Sequence, residues 1–301
     1  MKVTFIIASL LTVVVSFAQN ANPIRERVYG SMESALAAKE KVTQLNFRDK
    51  GLFHLPEGLG TLQGLHFLNL MGNNLERLED DLFELKELQV LTVKLNALKY
   101  LPKKMGNLTN LINLDATDNA IAHLPNELGN LNKLVYLHLS FNEISSLPST
   151  IGNCKNLEVL EVNSNQLSYL PQEISKLKKL KTLNLGYNQF NEFESEWAQL
   201  KNLETLNLEY NHIKELPQAV GNLKSLKVAM LNNNRLTTVP QELVTLQKLQ
   251  LLSLANNNIT VLPKDLSKLT GLRTLLLVGN PISKAEIERI KIALPNCQIY
   301  F

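Results

Sequence analysis

Three side chains that could do chemistry recur at one fixed interval. The step in the sequence from Asp115 to His138 equals the step from His138 to Glu161, and Ser140 follows the histidine by two positions. If the segments that carry them lie side by side in register, the two carboxylates flank the imidazole. Such a group could ligate a divalent metal, or His138 could act as the general base for a Ser140 nucleophile.

The same spacing argues for a non-catalytic role. Segments that stack in register bring residues one repeat apart together whatever their function, so ladders of charge arise by chance. The surface that would carry them is open and shallow, whereas catalysis usually requires a pocket that excludes water. We therefore predict no catalytic residue, no metal and no cofactor, and a structural or binding role for this group. The remaining histidines do not pair for a metal site: His54, His66, His123 and His212.

The elements that position these residues are sequence repeats of the same length, each marked by an asparagine. These asparagines recur at one constant interval: Asn73, Asn96, Asn119, Asn142, Asn165, Asn188, Asn211, Asn234, Asn257 and Asn280. The apolar residues around them read LxxLxLxxNxLxxLP, and an LGNL-like stretch follows. A fixed period of this length indicates a solenoid of stacked units.

Each part of this frame predicts a local structure. The LxxLxL segment alternates with period two, which suits a short parallel strand with its leucines turned inward. The buried asparagine can satisfy backbone groups of neighbouring turns. The LP and LGNL stretches predict a bend and a short helical segment that returns the chain along the convex side.

The frame resembles that of the leucine-rich repeat family, and the LP-containing unit is most similar to the Ras-signalling scaffold and plant intracellular Ras-group-related class. The resemblance covers residues 42–282, including an eleventh, degenerate repeat with Lys50 at the asparagine position. It implies an α/β solenoid: a horseshoe with a parallel concave β-sheet, short helices or 3-10 turns on the convex side, and helical caps. It also implies that the concave face binds a partner.

The N-terminal segment over 1–18 predicts a secretory signal peptide. Lys2 precedes an apolar run over residues 3–15. Ser16, Phe17 and Ala18 then stand at the positions expected before a cleavage site, which we place after Ala18. The run is shorter than the about 20 apolar residues that span a membrane. We predict a protein that is secreted, or held at the cell surface or in the periplasm, with a cytoplasmic protein as the alternative.

Charge and cysteine content bear on the partners and on cross-linking. The formal net charge of +3 is too small to favour nucleic acid or an anionic membrane as a partner.

Cys154 takes the place of a leucine in the LGNL stretch and is predicted to be buried. Cys297 follows six repeats later, roughly 30 Å along a stack with about 4.8 Å between strands, beyond the reach of a disulfide.

Atypical sequence at both ends predicts caps over the ends of the stack. The N-terminal segment contains helix formers with Ser31 as N-cap. The C-terminal segment begins with a capping box of Ser283 and Glu286, and Pro295 ends its helix before a last edge strand over residues 298–301. The predicted division is a signal peptide over 1–18, an N-terminal segment and cap over 19–41, eleven repeats over 42–282, and a C-terminal cap over 283–301.

One repeat departs from the frame. Phe193 and Glu194 replace the LP pair, and Trp197 takes the place of a smaller apolar residue. We predict that the core repacks locally around Phe190, Phe193 and Trp197.

The predicted partner site lies on the outward-facing strand residues near the middle of the arc. Aromatic side chains beside polar groups are typical of binding hot spots, although each aromatic could also simply cover the junction between strand and loop. The predicted partner-binding residues are Asp115, Tyr136, His138, Phe141, Glu161, Tyr187, Glu209 and Tyr210. We expect a monomeric, exported, non-enzymatic module that binds another protein. The alternative is a structural or adhesive surface protein that binds glycan or matrix, and less favoured is an intracellular signalling scaffold.

Overall fold

A single open sheet of parallel strands runs from Val28 to Tyr300, with its strands paired in chain order. The structure, a computed structural model, describes residues 26–301, so the predicted signal peptide over 1–18 lies outside the described residues. The strands are β1 (Val28–Tyr29), β2 (Gln44–Asn46), β3 (Phe67–Asn69), β4 (Val90–Thr92), β5 (Asn113–Asp115), β6 (Tyr136–His138), β7 (Val159–Glu161), β8 (Thr182–Asn184), β9 (Thr205–Asn207), β10 (Val228–Met230), β11 (Leu251–Ser253), β12 (Thr274–Leu276) and β13 (Gln298–Tyr300). The predicted α/β solenoid is confirmed.

From β2 to β12, the chain returns behind the sheet through one 3-10 helix between each strand and the next. These helices span Leu59–Thr61, Asp80–Glu84, Lys103–Asn107, Asn126–Asn130, Ser149–Asn153, Gln172–Lys176, Trp197–Gln199, Gln218–Asn222, Gln241–Thr245 and Leu266–Lys268. The proline of the LP pair precedes the helix in an extended conformation, as Pro148 does with φ −67° and ψ 143°. Neighbouring turns pack so closely that a Cβ on Gly152 would lie 2.7 Å from the carbonyl oxygen of Glu173. The close approach of the next turn therefore favours a glycine at position 152.

The ladder asparagines bond to backbone groups inside the stack, as their spacing predicts. The Asn142 side chain accepts a hydrogen bond from the backbone N–H of Ile121 at 3.0 Å. It donates to the carbonyl oxygens of Ala116 and Leu139, each at 3.0 Å. One asparagine thus satisfies backbone groups of two consecutive repeats, which would otherwise be buried without partners.

The core is a continuous column of fully buried leucines between the sheet and the 3-10 helices. The predicted local repacking is confirmed, because the Trp197 ring packs against Phe190 and Phe193 with ring centroids 5.3 and 5.0 Å apart. Cys154 is buried in the place of a leucine, and both it and Cys297 are free thiols.

The N-terminal end is closed by one more strand and a short helix. Helix α1 spans Met32–Leu36, and the Ser31 hydroxyl accepts a hydrogen bond from the Ser34 N–H at 3.2 Å, as an N-cap does. Strand β1, which the sequence frame does not predict, pairs Tyr29 with Leu45. Both elements lie against the first repeat.

The C-terminal end is closed by helix α2, which spans Lys284–Ala293, and by β13, which pairs with β12. Ser283 caps the helix by accepting from the Glu286 N–H at 3.2 Å. The predicted capping box is wrong in its second half, because the Glu286 carboxylate accepts from the Leu262 N–H at 2.9 Å and pairs with Arg289 at 2.7 Å. This acid ties the cap to the last full repeat, and the Arg289 guanidinium lowers its pKa.

Candidate functional site

The sheet face is the surface made by the strand side chains that point away from the leucine core. It consists of four rows of residues, which stand six, four, two and one positions before each ladder asparagine. Strand register confirms that Asp115, His138 and Glu161 are neighbours in the second row, on β5, β6 and β7. Tyr136 lies in the first row beside them.

The prediction that alternation exposes this group is wrong for two of its members. His138 is only 2% exposed and Asp115 is 6% exposed, while Tyr136 and Glu161 are half-buried. Strands about 4.8 Å apart let large side chains cover their neighbours, and the Tyr136 ring lies nearly parallel to the imidazole with centroids 6.5 Å apart. His138 and Asp115 therefore lie under the surface.

The polar atoms of this group bond mainly to neighbours in the sheet face, although His138 Nε2 is buried and has no hydrogen-bond partner within the described residues. His138 Nδ1 lies 2.7 Å from Glu161 Oε2, and Asp115 Oδ1 accepts from the Thr117 N–H at 3.0 Å. The Ser140 hydroxyl donates to Asn163 Oδ1. Within residues 26–301, no three His, Cys, Asp or Glu side chains are arranged to hold a metal ion.

The fourth row has an unusual backbone, which sequence reasoning missed. Its non-glycine residues have a positive φ: Asp49, Leu95, Asp118, Phe141, Ser164, Tyr187, Tyr210, Asn233 and Asn256. This left-handed conformation favours glycine, asparagine and aspartate and costs other residues about 1 kcal/mol each. The sequence contains a signal for this conformation, because more than half of the residues in the row are Gly, Asn or Asp.

Four large apolar or aromatic side chains break that preference. Phe141 is 57% exposed and Tyr187 is 48% exposed, and Leu95 and Tyr210 are exposed to similar extents. Their φ values lie between 52° and 56°. The left-handed backbone itself belongs to the repeat, because every residue of the row adopts it. What sets these four apart is that they place large, exposed apolar side chains where smaller residues would be less strained.

Tyr187 and Tyr210 form a stacked pair on consecutive repeats. Their ring centroids are 4.2 Å apart and their planes are 16° from parallel. Burial, followed by the negative charge of Glu209, raises the pKa of Tyr187 to about 12. The Glu209 carboxylate accepts hydrogen bonds from the side-chain amides of Asn207 and Asn232, each at 3.0 Å.

The third row carries a glycine beside this pair, and the neighbouring side chains pack closely against it. A Cβ on Gly186 would lie 3.1 Å from the Glu209 Cγ and 3.2 Å from the Asn207 Nδ2. The Gly186 N–H donates to Asn184 Oδ1 at 3.3 Å. The space that a side chain at position 186 would take is therefore already occupied by Glu209 and Asn207.

Charge is distributed unevenly over the sheet face. The four rows from β5 to β12, all within the described part of the chain, contain no lysine or arginine and these four carboxylates: Asp115, Asp118, Glu161 and Glu209. Lysines stand at the edge of the sheet, where Lys181 pairs with Glu158 at 2.7 Å and Lys227 pairs with Glu204 at 2.6 Å. The centre of the face is therefore acidic.

The sequence profile of the leucine-rich repeat region matches residues 41–143, 113–207 and 172–289, which together span most of the chain. The chain belongs to the leucine-rich repeat family. No curated protein matches it in sequence. None of the helices that the structure describes has the length and apolar content needed to cross a membrane.

Solved structures extend the comparison. A leucine-rich repeat protein of Leptospira interrogans is 30% identical over 92% of this chain and 100% of its own, with a TM-score of 0.51. The plant peptide hormone receptor RGFR1, solved in complex with RGF2, is 28% identical over 88% of this chain and 43% of its own, with a TM-score of 0.74. An internalin of Listeria monocytogenes, 22% identical over 86% of this chain and 74% of its own, shares the fold with a TM-score of 0.76.

Proposed function

We propose that this leucine-rich repeat protein is an exported, non-enzymatic interaction module that binds another protein through its sheet face. The observation that carries the proposal is the exposure of Phe141, Tyr187 and Tyr210 on left-handed backbone. Each costs folding stability where a glycine or asparagine would not. Exposed aromatic anchors contribute strongly to protein binding, because they bury a large area at a small loss of conformational entropy.

The shape and chemistry of the face support a macromolecular partner. An open sheet offers a broad surface without the enclosed pocket typical of small-molecule sites. The plant hormone receptor that is similar in sequence was solved with RGF2 bound, which gives a precedent for a complex in this fold.

The predicted contact residues divide into two layers. Tyr187, Tyr210 and Phe141 supply accessible apolar surface, and Glu209 supplies charge beside them. The other four hold the centre of the face in shape and present a small polar area to the partner; they are Asp115, Tyr136, His138 and Glu161.

The export proposal rests on the N-terminal segment over 1–18. We propose that this segment is removed after Ala18, which leaves the N-terminal cap over 19–41, the eleven repeats over 42–282 and the C-terminal cap over 283–301 as one domain. N-terminal sequencing of the protein from expressing cells is expected to begin at Gln19. A cytosolic protein that retains Met1 would overturn export and favour an intracellular scaffold of the Ras-related class.

Capture of a partner tests the binding proposal. The protein is immobilised and compared with a Tyr187→Asn/Tyr210→Asn variant, because asparagine occupies the same row at 233 and 256 and suits its backbone. The matched control is Tyr100→Asn/Tyr169→Asn, which removes two similarly exposed tyrosines outside the four rows. We expect the first variant to lose the captured protein and the control to keep it. Equal capture by all three would contradict binding through the sheet face.

A further inference from the structure

A lysine-rich surface lies beside the sheet, where the chain enters the strands. It is made by the last residue of each 3-10 helix and the five residues that lead from it to the next strand, from β6 to β11. We call this surface the lysine rim and propose that it binds a linear sulfated polysaccharide. None of its residues belongs to the four rows of the sheet face, so this would be a second binding surface, separate from the one that binds the protein partner.

Positive charge is concentrated on the lysine rim. Its six segments contain ten lysines and two glutamates, a formal net charge of +8, whereas the whole chain carries only +3. The rest of the chain is therefore negative on balance. The segments are 130–135, 153–158, 176–181, 199–204, 222–227 and 245–250. A surface with one sign of charge attracts a polyanion even when the net charge of the protein is small.

The repeat places these lysines on one continuous surface. In each segment the leucines are buried in the core, so the positions between them face solvent. Equivalent positions of consecutive repeats are in contact, because Lys133 Nζ donates to Asn110 Oδ1 at 2.6 Å and Lys179 Nζ donates to Asn156 Oδ1 at 2.7 Å. With about 4.8 Å between neighbouring strands, six repeats give a rim roughly 24 Å long.

Most lysines of the rim lack a carboxylate partner. Its two glutamates are already paired, Glu158 with Lys181 at 2.7 Å and Glu204 with Lys227 at 2.6 Å. The other eight lysines are exposed and form no ion pair within residues 26–301. An ammonium group has three N–H donors, so a lysine that bonds to a neighbouring amide can still bind an anion.

One row of the rim places like charges side by side. Lys155, Lys178, Lys201 and Lys224 hold the same position in four consecutive repeats. Like charges that stand opposite each other on neighbouring strands repel, so this row does not stabilise the fold. An anionic chain that lies along the row would remove the repulsion.

The side chains between the lysines restrict the class of anion. The six segments contain no arginine and no aromatic residue. Arginine is preferred for bidentate recognition of phosphate, and aromatic rings stack on nucleic-acid bases, so the rim lacks two features typical of a nucleic-acid site. In these segments Val135 is the only apolar side chain that is not fully buried. The rim therefore has no apolar anchor for a membrane or a folded protein.

A sulfated polysaccharide suits a rim of this composition. Lysine is a compact, strongly hydrated point charge, and it can pair with a sulfate group without a fixed orientation. A linear chain can follow the rim across several repeats and sum many weak contacts. Uncharged side chains such as Gln199 and Gln247 stand exposed among the lysines and can bond to sugar hydroxyls.

The test measures binding of a fluorescently labelled heparin oligosaccharide by anisotropy, at an ionic strength of about 0.15 M. Three other probes are compared with it: the same oligosaccharide without its sulfate groups, a DNA duplex of equal charge, and vesicles that contain phosphatidylserine. We expect heparin to bind at least about tenfold more tightly than its desulfated form, and more weakly as salt is raised. Equal binding of the desulfated form, or tighter binding of the DNA or the vesicles, would overturn the proposal.

A pair of variants locates the site. Lys178→Gln/Lys201→Gln removes two charges from the lysine row, and we expect heparin binding to weaken about tenfold with no loss of thermal stability. The matched control, Lys103→Gln/Lys214→Gln, removes two exposed lysines outside the rim and is expected to bind within about twofold of the parent. Equal weakening in both variants would show that binding follows net charge, and would overturn the proposal.

The lysine rim and the sheet face can be tested separately. We expect Tyr187→Asn/Tyr210→Asn to bind heparin as the parent does, because both tyrosines follow the strands and the rim precedes them. We also expect Lys178→Gln/Lys201→Gln to keep the captured protein partner. Loss of heparin binding in the tyrosine variant would place the polysaccharide on the sheet face and overturn the rim site.

Discussion

The ladder asparagines and the row that directly precedes them differ in almost every physical respect, although they are adjacent in the chain. Asn142 is buried, and its side chain bonds to backbone groups of two repeats. Phe141 is exposed, and its backbone is in the left-handed region. The ladder keeps one residue type through ten repeats, whereas the preceding row varies from glycine to tyrosine. Stability is thus concentrated in the constant positions, and the proposed partner binding rests on the variable ones.

The largest effect is expected at the ladder. Asn142→Ala leaves the Ile121 N–H and the carbonyl oxygens of Ala116 and Leu139 without their side-chain partner. We expect the free energy of unfolding to fall by about 3 kcal/mol, because buried backbone groups that lose a hydrogen bond are costly. Urea denaturation measures this change. The control, Asn153→Ala, removes an exposed asparagine from a 3-10 helix and should stay within about 0.5 kcal/mol of the parent.

A change of opposite sign is expected one residue earlier. Phe141→Asn replaces a strained, exposed aromatic with a residue that suits the left-handed region, so we expect the free energy of unfolding to rise by about 1 kcal/mol. The same denaturation experiment measures it. A loss of more than about 1 kcal/mol would show that the Phe141 ring supports the fold, and the contrast between the two positions would fail.

The smallest effect concerns the pH dependence of Tyr187. Its pKa in the folded protein is raised to about 12 by burial and by the charge of Glu209. A group with a raised pKa stabilises the folded state below its unfolded pKa, so this contribution is lost as pH rises from about 10 through 12. Ultraviolet titration should detect a late-titrating tyrosine whose signal is absent from Tyr187→Asn. Glu209→Gln should lower the pKa of Tyr187, because a negative neighbour disfavours the tyrosinate.

Much of the fold is encoded in a simple period. The regular spacing of the repeats predicts the strand register, the stacking of the ladder, the adjacency of Asp115, His138 and Glu161, and the atypical ends predict the cap helices. Strand β1 cannot be predicted in this way, because a strand of two residues is too short to show an alternating pattern. The hydrogen bond from the Leu262 N–H to the Glu286 carboxylate cannot be predicted either, because the two residues are 24 positions apart.

The candidate site is less predictable for physical reasons. Alternation assigns His138 to the outward side of the strand, but its burial depends on the neighbouring side chains of the sheet face, among them Tyr136 and Glu161. The left-handed row is a property of the backbone, and large residues such as Tyr187 and Tyr210 conceal it. The residue type at one position therefore indicates the backbone conformation less well than the whole row of equivalent positions in the stacked repeats.

The proposed function requires that the strained aromatic side chains of the sheet face bind a partner. The most direct test is the dissociation constant of the captured partner for the parent protein and for Tyr187→Asn/Tyr210→Asn. We predict binding at least about 30-fold weaker in the variant, with a free energy of unfolding within about 1 kcal/mol of the parent, because relief of strain offsets the lost stacking. An unchanged dissociation constant would contradict the claim, and so would a variant whose weaker binding is explained by unfolding.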